Sequence, residues 1–561
     1  MTGGLMNLVA YGNANLLFNG NPKKTFFKAT YNKFTNFGLQ RFRIDFEGTR
    51  TLNPTTPTTL EFKIPRYAEL LYDTYLVINL PNIYSPFYNY ATEGGGDDGA
   101  IETKNGHYFV PYEFRWVEEL GSNFIEEIEI YSGGTSLAKY SGEYLSCIKE
   151  RDFNKSKKDL WNRMTGNISE LNNPGNANGN VNTYPNVFWS KSGMDIEPSI
   201  RGRALYIPLD AFFCESSKLA LPLVALQYQE IKIKIELKPV MHLYTINNVN
   251  DPDGPSQNSG LSYRIRPNPN ILEHQLWRFL QPPYDETANT EKYNKNINSW
   301  NSDIHLMGTY IFLGQDERRI MAAKEHTMLV KQIYTYDFLD VAGSKIIEIE
   351  SKDMIINYMW RFRRSDAFLR NEWSNYTNWP YHNIIPQSLS LLTESKDPNP
   401  SNFYITGNIG INENDDNSYP INIKHILLDL GITMDGIYRE KILPADVYRY
   451  MEKYMRTTGD AKDGLYCYNF CLNSNKREYQ PSGAMNVNKF KKVFFEFNTI
   501  EAPQDPSGTY VEYICDLDGN AVGFRKTSAV LNVYNFDLRI FEERYNIINI
   551  QGGRIGLMHA R

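Results

Sequence analysis

The clearest pattern in the chain is a strict alternation at Ile231-Lys232-Ile233-Lys234-Ile235-Glu236-Leu237, apolar at every odd position and charged at every even one. A helix would scatter those apolar residues around its circumference at about 100° per residue, whereas a strand sets all of them on one face and the charges on the other. The run predicts a half-buried β-strand. The same alternation predicts a strand at Glu127–Tyr131, ending at the turn Gly133-Gly134, and further strands at Leu60–Ile64, Thr74–Leu80, Lys345–Glu350, Val493–Asn498 and Val530–Asp537. Asp518-Gly519 between apolar flanks is a hairpin cue. Helical periodicity is confined to short pieces, Asp316–Lys324 and Pro444–Tyr454, the second with Pro444 at its start and Asp446 in its first turn, where the helix dipole favours acid.

Between these elements the chain loses periodicity at Asn247–Ser259 and Gln281–Asn301, both rich in Asn, Asp, Ser and Pro, which predicts a domain boundary near 300. Glu93–Gly99, Asn172–Asn182 and Pro398–Ser418 predict long surface loops. A chain of 561 residues has room for two large β domains of about 250 residues each. Aromatic residues make up 14%, with 39 Tyr and 30 Phe, and such side chains favour pleated, half-buried surfaces.

Net charge is −6. This argues against wrapping nucleic acid as the main task, because that affinity comes from Lys and Arg displacing counterions. The first twenty residues have no basic residue ahead of their apolar stretch, which Gly12 and several Asn interrupt, so they do not read as a secretory signal. Five cysteines are too few for a disulfide framework. Cys467 and Cys471 have metal-like spacing but lie in an apparent strand, which separates them by roughly 13 Å and makes them core thiols.

No catalytic, cofactor or metal site is expected. No two of the eight histidines lie within five residues of one another. Asp516-x-Asp518-x-Asn520 starts like a calcium loop but has Ala521 where glycine is required, and Asn412–Asn417 reads as solvated loop charge. Phosphate-loop, nucleophile-elbow and zinc-protease signatures are missing from the sequence. The basic run Arg151, Lys155, Lys157, Lys158 and Arg163 is interleaved with Asp152 and Asp159 and reads as a solvated face. Asn154, Asn167 and Asn375 are glycosylation sequons, expected to stay unmodified without an export signal.

Several strings stand out: Gly3–Gly12 with Gly20-Asn21-Pro22, Thr25-Phe26-Phe27-Lys28, Ala220–Tyr228 leading into the alternating strand, Arg370–Tyr381, Gln480–Asn486 and Glu543-Arg544-Tyr545-Asn546. Together they resemble one family, the major capsid proteins of nucleocytoplasmic large DNA viruses, particularly of algal and mimivirus-like giant viruses. At Gly314–Arg319 the chain keeps the family's acidic and basic turn but carries Gly-Gln where relatives have other residues.

The resemblance implies an all-β double jelly roll, two tandem eight-stranded sandwiches with long loop insertions and a few short helices. The divisions expected are an N-terminal arm at 1–25, a first jelly roll at 26–300, a second at 301–545 and a C-terminal tail at 546–561. It also implies a structural virion protein, not an enzyme, forming homotrimeric pseudo-hexagonal capsomers that tile an icosahedral capsid, with the loop insertions as its outer tower. Its partners would be neighbouring capsomers, minor capsid (cement) proteins and proteins of an internal membrane, with no specific nucleic acid and no cofactor. It would be made and assembled in host cytoplasm and reside in the virion. The alternatives are a minor capsid paralogue and a glycan- or receptor-binding jelly roll of the virion surface, for which Trp373 and Trp379 are the ligand-facing candidates, although both are expected to pack.

The apolar residues Leu5, Met6, Leu8, Val9, Leu16, Leu17 and Phe18 in the glycine-rich first segment imply an inward-facing arm with a docking partner, without regular secondary structure of its own.

Overall fold

The computed structural model describes residues 3–48, 51–85, 87–90, 101–102, 108–181, 183–187, 196–247, 264–283, 293–379, 424–460, 462–475, 477–500, 511–515, 521–526 and 534–559. Two β-sandwiches follow one another along the chain. The first is built from β1 (Phe37–Ile44), β2 (Thr58–Lys63), β3 (Leu70–Asn79), β4 (Ile125–Ser132), β5 (Thr135–Tyr140), β6 (Ala204–Pro208), β7 (Ile231–Leu237) and β8 (His305–Leu313). The second uses β9 (His326–Val341), β10 (Ser344–Ile349), β11 (Met354–Arg364), β12 (Leu427–Met434), β13 (Ile437–Pro444), β14 (Leu465–Asn469), β15 (Val493–Thr499) and β16 (Phe536–Gln551).

The sheets of the first sandwich run β1-β8-β3-β6 and β2-β7-β4-β5; those of the second run β9-β16-β11-β14 and β10-β15-β12-β13. The orders are the same once the second set is renumbered from one. Both halves are therefore eight-stranded jelly rolls, as the resemblance implied. The strand β7 carries the alternation seen in the sequence, with Ile231, Ile233, Ile235 and Leu237 buried and the charged residues between them half-buried.

The register moves the boundary expected near 300. Strand β8 pairs with β1 from Phe37↔Leu313 to Ile44↔Leu306 and with β3 on its other side, so 301–313 closes the first sandwich and the division falls at Gly314. The loss of periodicity at 281–301 marks a crossover inside the first sandwich, not the link between the two. Residues 546–551 are likewise no tail: they complete β16, which turns through Gly552 and Gly553, both at positive φ, into β17 (Arg554–Leu557). Ile548, Ile550 and Ile555 are buried there. At the other end, α1 (Gly3–Val9) gives the arm helical structure that its sequence did not predict, with no buried residue, and the exposed segment extends to about residue 36, beyond the expected 25.

Four further helices matter. Gly142–Asp152 (α2) and Lys155–Thr165 (α3) lie between β5 and β6; Gln315–Ala323 (α4) links the sandwiches; Glu452–Arg456 (α5) continues a π-helical turn at Val447–Met451 between β13 and β14. The last two match the helices read from the sequence. The first two were missed, although their caps are legible: Ser141 accepts from the Tyr144 amide, Asn154 accepts from the Lys157 amide, and Gly166 ends α3 at φ +82.

Strand β11 faces the cores of both sandwiches. Tyr358, Trp360 and Phe362 point into the second core with Leu430, Phe495 and Phe497. Met359, one residue out of phase, joins the first core together with Phe541, Ile548 and Ile550. Because side chains alternate faces along a strand, a strand in the middle layer must be apolar on both. The expected loops at 93–99 and 398–418, the acidic stretch 412–417 and the calcium-like 516–520 lie outside the described residues. The strands Val511–Cys515 and Ala521–Lys526 flanking the last of these do pair antiparallel as a hairpin. Asn172–Asn182 is partly packed, with Pro174, Gly175 and Ala177 buried.

Candidate functional site

The face that α2 turns to the second sandwich is a stripe of Glu143, Tyr144, Cys147 and Arg151, spaced as successive turns of a helix place them. Glu143 pairs with Arg361 and accepts from Arg539 Nη1 at 2.7 Å, while Arg539 also binds Asp337 at 2.5 Å. The Tyr144 hydroxyl donates to Glu543 Oε1 at 2.6 Å, and its ring lies 5.6 Å from that of Phe541. Arg151 reaches Glu543 at 3.1 Å, grips both oxygens of Asp152 at 2.8 and 2.9 Å and donates to Asn357 Oδ1 at 3.3 Å. Asn357 in turn donates to Glu543 Oε2 at 2.6 Å.

Both Arg151 and Glu543 are fully buried. Burial alone pushes the Glu543 carboxyl upward; Arg151 and Lys331, with hydrogen bonds from Arg151 and Tyr144, outweigh it and hold the group at about 2. Glu143 is held well below the carboxylate range in the same way, its burial overcome by Arg361, Arg539 and Arg363. Buried ions of this kind contribute little net stability against an apolar isostere, but removing one partner leaves an uncompensated charge. The network sets one relative placement of the two sandwiches.

A second lock comes from the Arg370–Tyr381 string. Asn371 Nδ2 donates to the carbonyls of Met241 and Tyr244, both at 2.8 Å, and Trp373 Nε1 donates to the His242 carbonyl at 2.8 Å. The Trp373 ring is flanked by Lys238 at 4.9 Å and Arg363 at 5.4 Å. Trp373 is therefore packed across the seam, and Trp379 carries Lys424 over its ring at 5.4 Å. Both rings are half-buried, and each has at least one cation stacked on it. His242 accepts from Arg266 at 2.7 Å and stays neutral, pushed down to about 4 by burial first and by Arg266 and Lys238 after it.

The sequons differ in access. Asn375 is buried, its Nδ2 donating to the Trp379 carbonyl at 2.6 Å. Asn167 spends its Nδ2 on Glu119 at 2.9 Å. Asn154 is exposed and caps α3 through its oxygen. In the basic run, Lys155 and Arg163 are exposed as expected, whereas Arg151 is not: it lies inside the seam because the helix missed in the sequence turns it inward. Cys467 and Cys471 are buried free thiols, and burial pushes Cys467 up to about 11 and Cys147 to about 12, which keeps both protonated. Among the described residues no group of three or more His, Cys, Asp or Glu side chains is placed to hold a metal ion. Nor is any described helix long and apolar enough to cross a membrane.

Among the described residues, two stretches of the chain carry several exposed apolar side chains close together in sequence. One is the arm, where Leu8, Leu17, Phe18, Phe26, Phe27 and Phe34 are all exposed. The other lies on the helical turn after β13, at Tyr450, Met451, Tyr454 and Met455.

Residues 25–314 match the family described as "Major capsid protein N-terminus". The chain is 27% identical over 344 residues to the major capsid protein of Phaeocystis pouchetii virus, covering 59% of this chain and 53% of that one. It is 26% identical over 372 residues to the major capsid protein of Chrysochromulina ericina virus, covering 64% and 56%. These alignments thus span little more than half the length of those relatives. With the major capsid protein of Paramecium bursaria Chlorella virus 1 the identity is 22% over 561 residues, the whole of both chains. Among solved structures, the PBCV-1 virus capsid superposes with a TM-score of 0.57 at 16% identity, covering 96% of this chain and 100% of that one. The Faustovirus major capsid protein superposes with a TM-score of 0.59 at 12% identity, covering 94% and 93%. With two eight-stranded sandwiches in the same strand order, and with the family match running over more than half of its length up to the end of β8, this chain belongs to the major capsid protein family.

Proposed function

We propose that this protein is the building block of the icosahedral shell of a large DNA virus, working as a homotrimeric, pseudo-hexagonal capsomer. The observation that carries the reading is the seam: two sandwiches of identical strand order are locked by Arg151, Glu543, Tyr144 and Asn357 into a single block. A chain of that form presents two similar widths, so three copies approximate six sides and a closed rotation satisfies every contact. The role is one of shape. Neighbouring capsomers are its lateral partners.

The exposed arm supports inner partners. A segment with this much apolar surface and no buried residue is stabilised when something covers it. Its first basic residues are Lys23 and Lys24, so it is poorly equipped to hold DNA by charge. Minor capsid proteins, and proteins of an internal membrane, fit better, with assembly in the host cytoplasm and residence in the virion.

Purified chain is expected to run at three times its own mass in light scattering, and quantitative mass spectrometry of virions should place it among the abundant shell proteins. A folded species that stays monomeric at micromolar concentration contradicts the capsomer reading. A trimer present in only a few copies per virion would identify a minor paralogue instead.

A further inference from the structure

The helical turn after β13 occupies the position in the second sandwich that α2 occupies in the first: each follows the fifth strand of its sandwich and precedes the sixth. Their surroundings differ. α2 lays Glu143, Tyr144 and Arg151 on the outer face of the sheet β9-β16-β11-β14, reaching Arg361, Glu543 and Asn357. Its counterpart turns Tyr448 into its own core, with the hydroxyl on the Leu430 carbonyl at 2.8 Å and the ring 5.3 Å from Trp360. The opposite stripe, Tyr450, Met451, Tyr454 and Met455, is left 45%, 63%, 87% and 71% exposed. Leu472, beside the Cys471 carbonyl that accepts from Arg456, is also exposed and enlarges the patch.

Five large apolar side chains exposed to this degree present on the order of 500 Å2, a large part of one partner's share of about 800 Å2 in a standard interface. A solitary soluble chain rarely leaves such a patch uncovered.

We infer that this stripe docks on a second copy of the chain, on the outer face of its β1-β8-β3-β6 sheet, and so repeats between chains the contact that α2 makes within one. The inference rests on the capsomer reading and names the surface that builds it. That sheet is the counterpart of the one α2 covers. Its outer ladder places Leu39 and Arg41 on β1, Met307 on β8, Tyr75 on β3 and Tyr206 on β6, out of phase with the core residues Phe42, Leu306, Leu76, Leu205 and Ile207. Leu39 and Tyr206 are exposed, and Met307 and Tyr75 are half-buried, so an apolar ridge has apolar surface to meet.

Donor and acceptor lie on different sandwiches, which makes the contact heterologous. Such a contact closes into a ring or runs on as a filament. In a trimer each chain gives one stripe and receives one.

The test is co-expression of two full-length variants, Met455→Cys and Arg41→Cys, followed by a short bis-maleimide cross-linker. Cross-linked dimer should form in the mixture and not with either variant alone or with the unsubstituted protein, whose described cysteines are buried or half-buried. Separately, Tyr454→Glu combined with Met455→Glu should raise the concentration at which the trimer dissociates at least tenfold, with unfolding of the monomer unchanged.

If the unsubstituted chain is trimeric but the double variant stays equally trimeric and the mixture gives no cross-link, this docking surface is wrong and the capsomer reading survives. A monomeric unsubstituted chain overturns both. Cross-linking of Met455→Cys with itself overturns the head-to-tail arrangement. Should the double variant not fold, the cross-link alone decides.

Discussion

Tyr144 in the first sandwich and Glu543 in the second are joined by a 2.6 Å hydrogen bond across 399 residues of chain, inside a seam where both residues are fully buried. The tyrosine belongs to a helix inserted between strands five and six. The glutamate lies in the last long strand of the protein. Their contact makes two jelly rolls one block.

Arg151→Ala should be among the most destabilising single substitutions in the chain. It strands Glu543 and Asp152 as buried carboxylates without their cation, which typically costs on the order of 3–5 kcal/mol. Tyr144→Phe keeps the ring packing and removes one charge-assisted bond, for a loss of about 1.5–3 kcal/mol. Urea unfolding of both variants checks the order; equal effects would show that the charge is not what holds the seam.

Acid should open the same seam. Glu543 and Glu150 are both held at about 2 in the folded chain against an ordinary value of 4.5, Glu150 because Lys149, Lys462 and Lys158 overcome its burial. A carboxyl depressed on folding contributes stability that is fully present above its unfolded value and is lost as pH falls toward its folded one. The melting temperature should therefore drop steeply between pH 4.5 and about 2, and Glu543→Gln should flatten that slope while lowering stability at neutral pH. Thermal melts across that range measure it.

Gly459 tests the close approach of the sandwiches. A Cβ there would sit 2.3 Å from the Glu150 carbonyl oxygen and 2.6 Å from the Arg151 carbonyl carbon, backbone atoms of the other sandwich that cannot swing away. Gly459→Ala should cost about 1–3 kcal/mol by overpacking. Gly556→Ala, where nothing lies within 4 Å, should change stability by less than about 0.5 kcal/mol. Paired denaturation curves compare the two.

Deleting residues 1–20 should leave the thermal stability of the isolated protein unchanged, since no described residue of that segment is buried. It should block shell assembly. A large drop in melting temperature would show that the arm belongs to the core.

Passage through a secretory pathway should glycosylate Asn154 and spare Asn167 and Asn375, whose side-chain amides are already committed. Peptide mass spectrometry reads this directly. Occupancy at Asn375 would require the Arg370–Tyr381 lock to open.

How far the fold was legible depended on the range of the signal. Strands β2, β3, β4, β7, β10 and β15 were readable because alternation is a local property: a strand with one wet face writes its period into consecutive residues. β16 was legible only at its start, where the strand expected at Val530–Asp537 reaches Phe536 and Asp537; its middle, Ile540–Arg544, is buried on both faces and loses the alternation, and its last six residues passed for a tail. The helices α2 and α3 hid for a related reason. α2 is buried almost all round, so no polar stripe reveals its 3.6-residue period, and only the caps at Ser141 and Asn154 remained to mark the two starts.

Chain-level properties were settled by the residues themselves: an all-β architecture and cysteines buried in the core both follow from local composition and spacing. The division at Gly314 and the burial of Arg151 were decided only in three dimensions. β8 belongs to the first sandwich because β1, more than 260 residues earlier, supplies its partner along the full strand. Arg151 stands in a basic run that looks solvated, yet Glu543 and Asn357 meet it from the far end of the chain. Pairings of that separation leave no periodicity in either segment, because the free energy of a buried ion depends on what surrounds it in space and not on its neighbours in sequence.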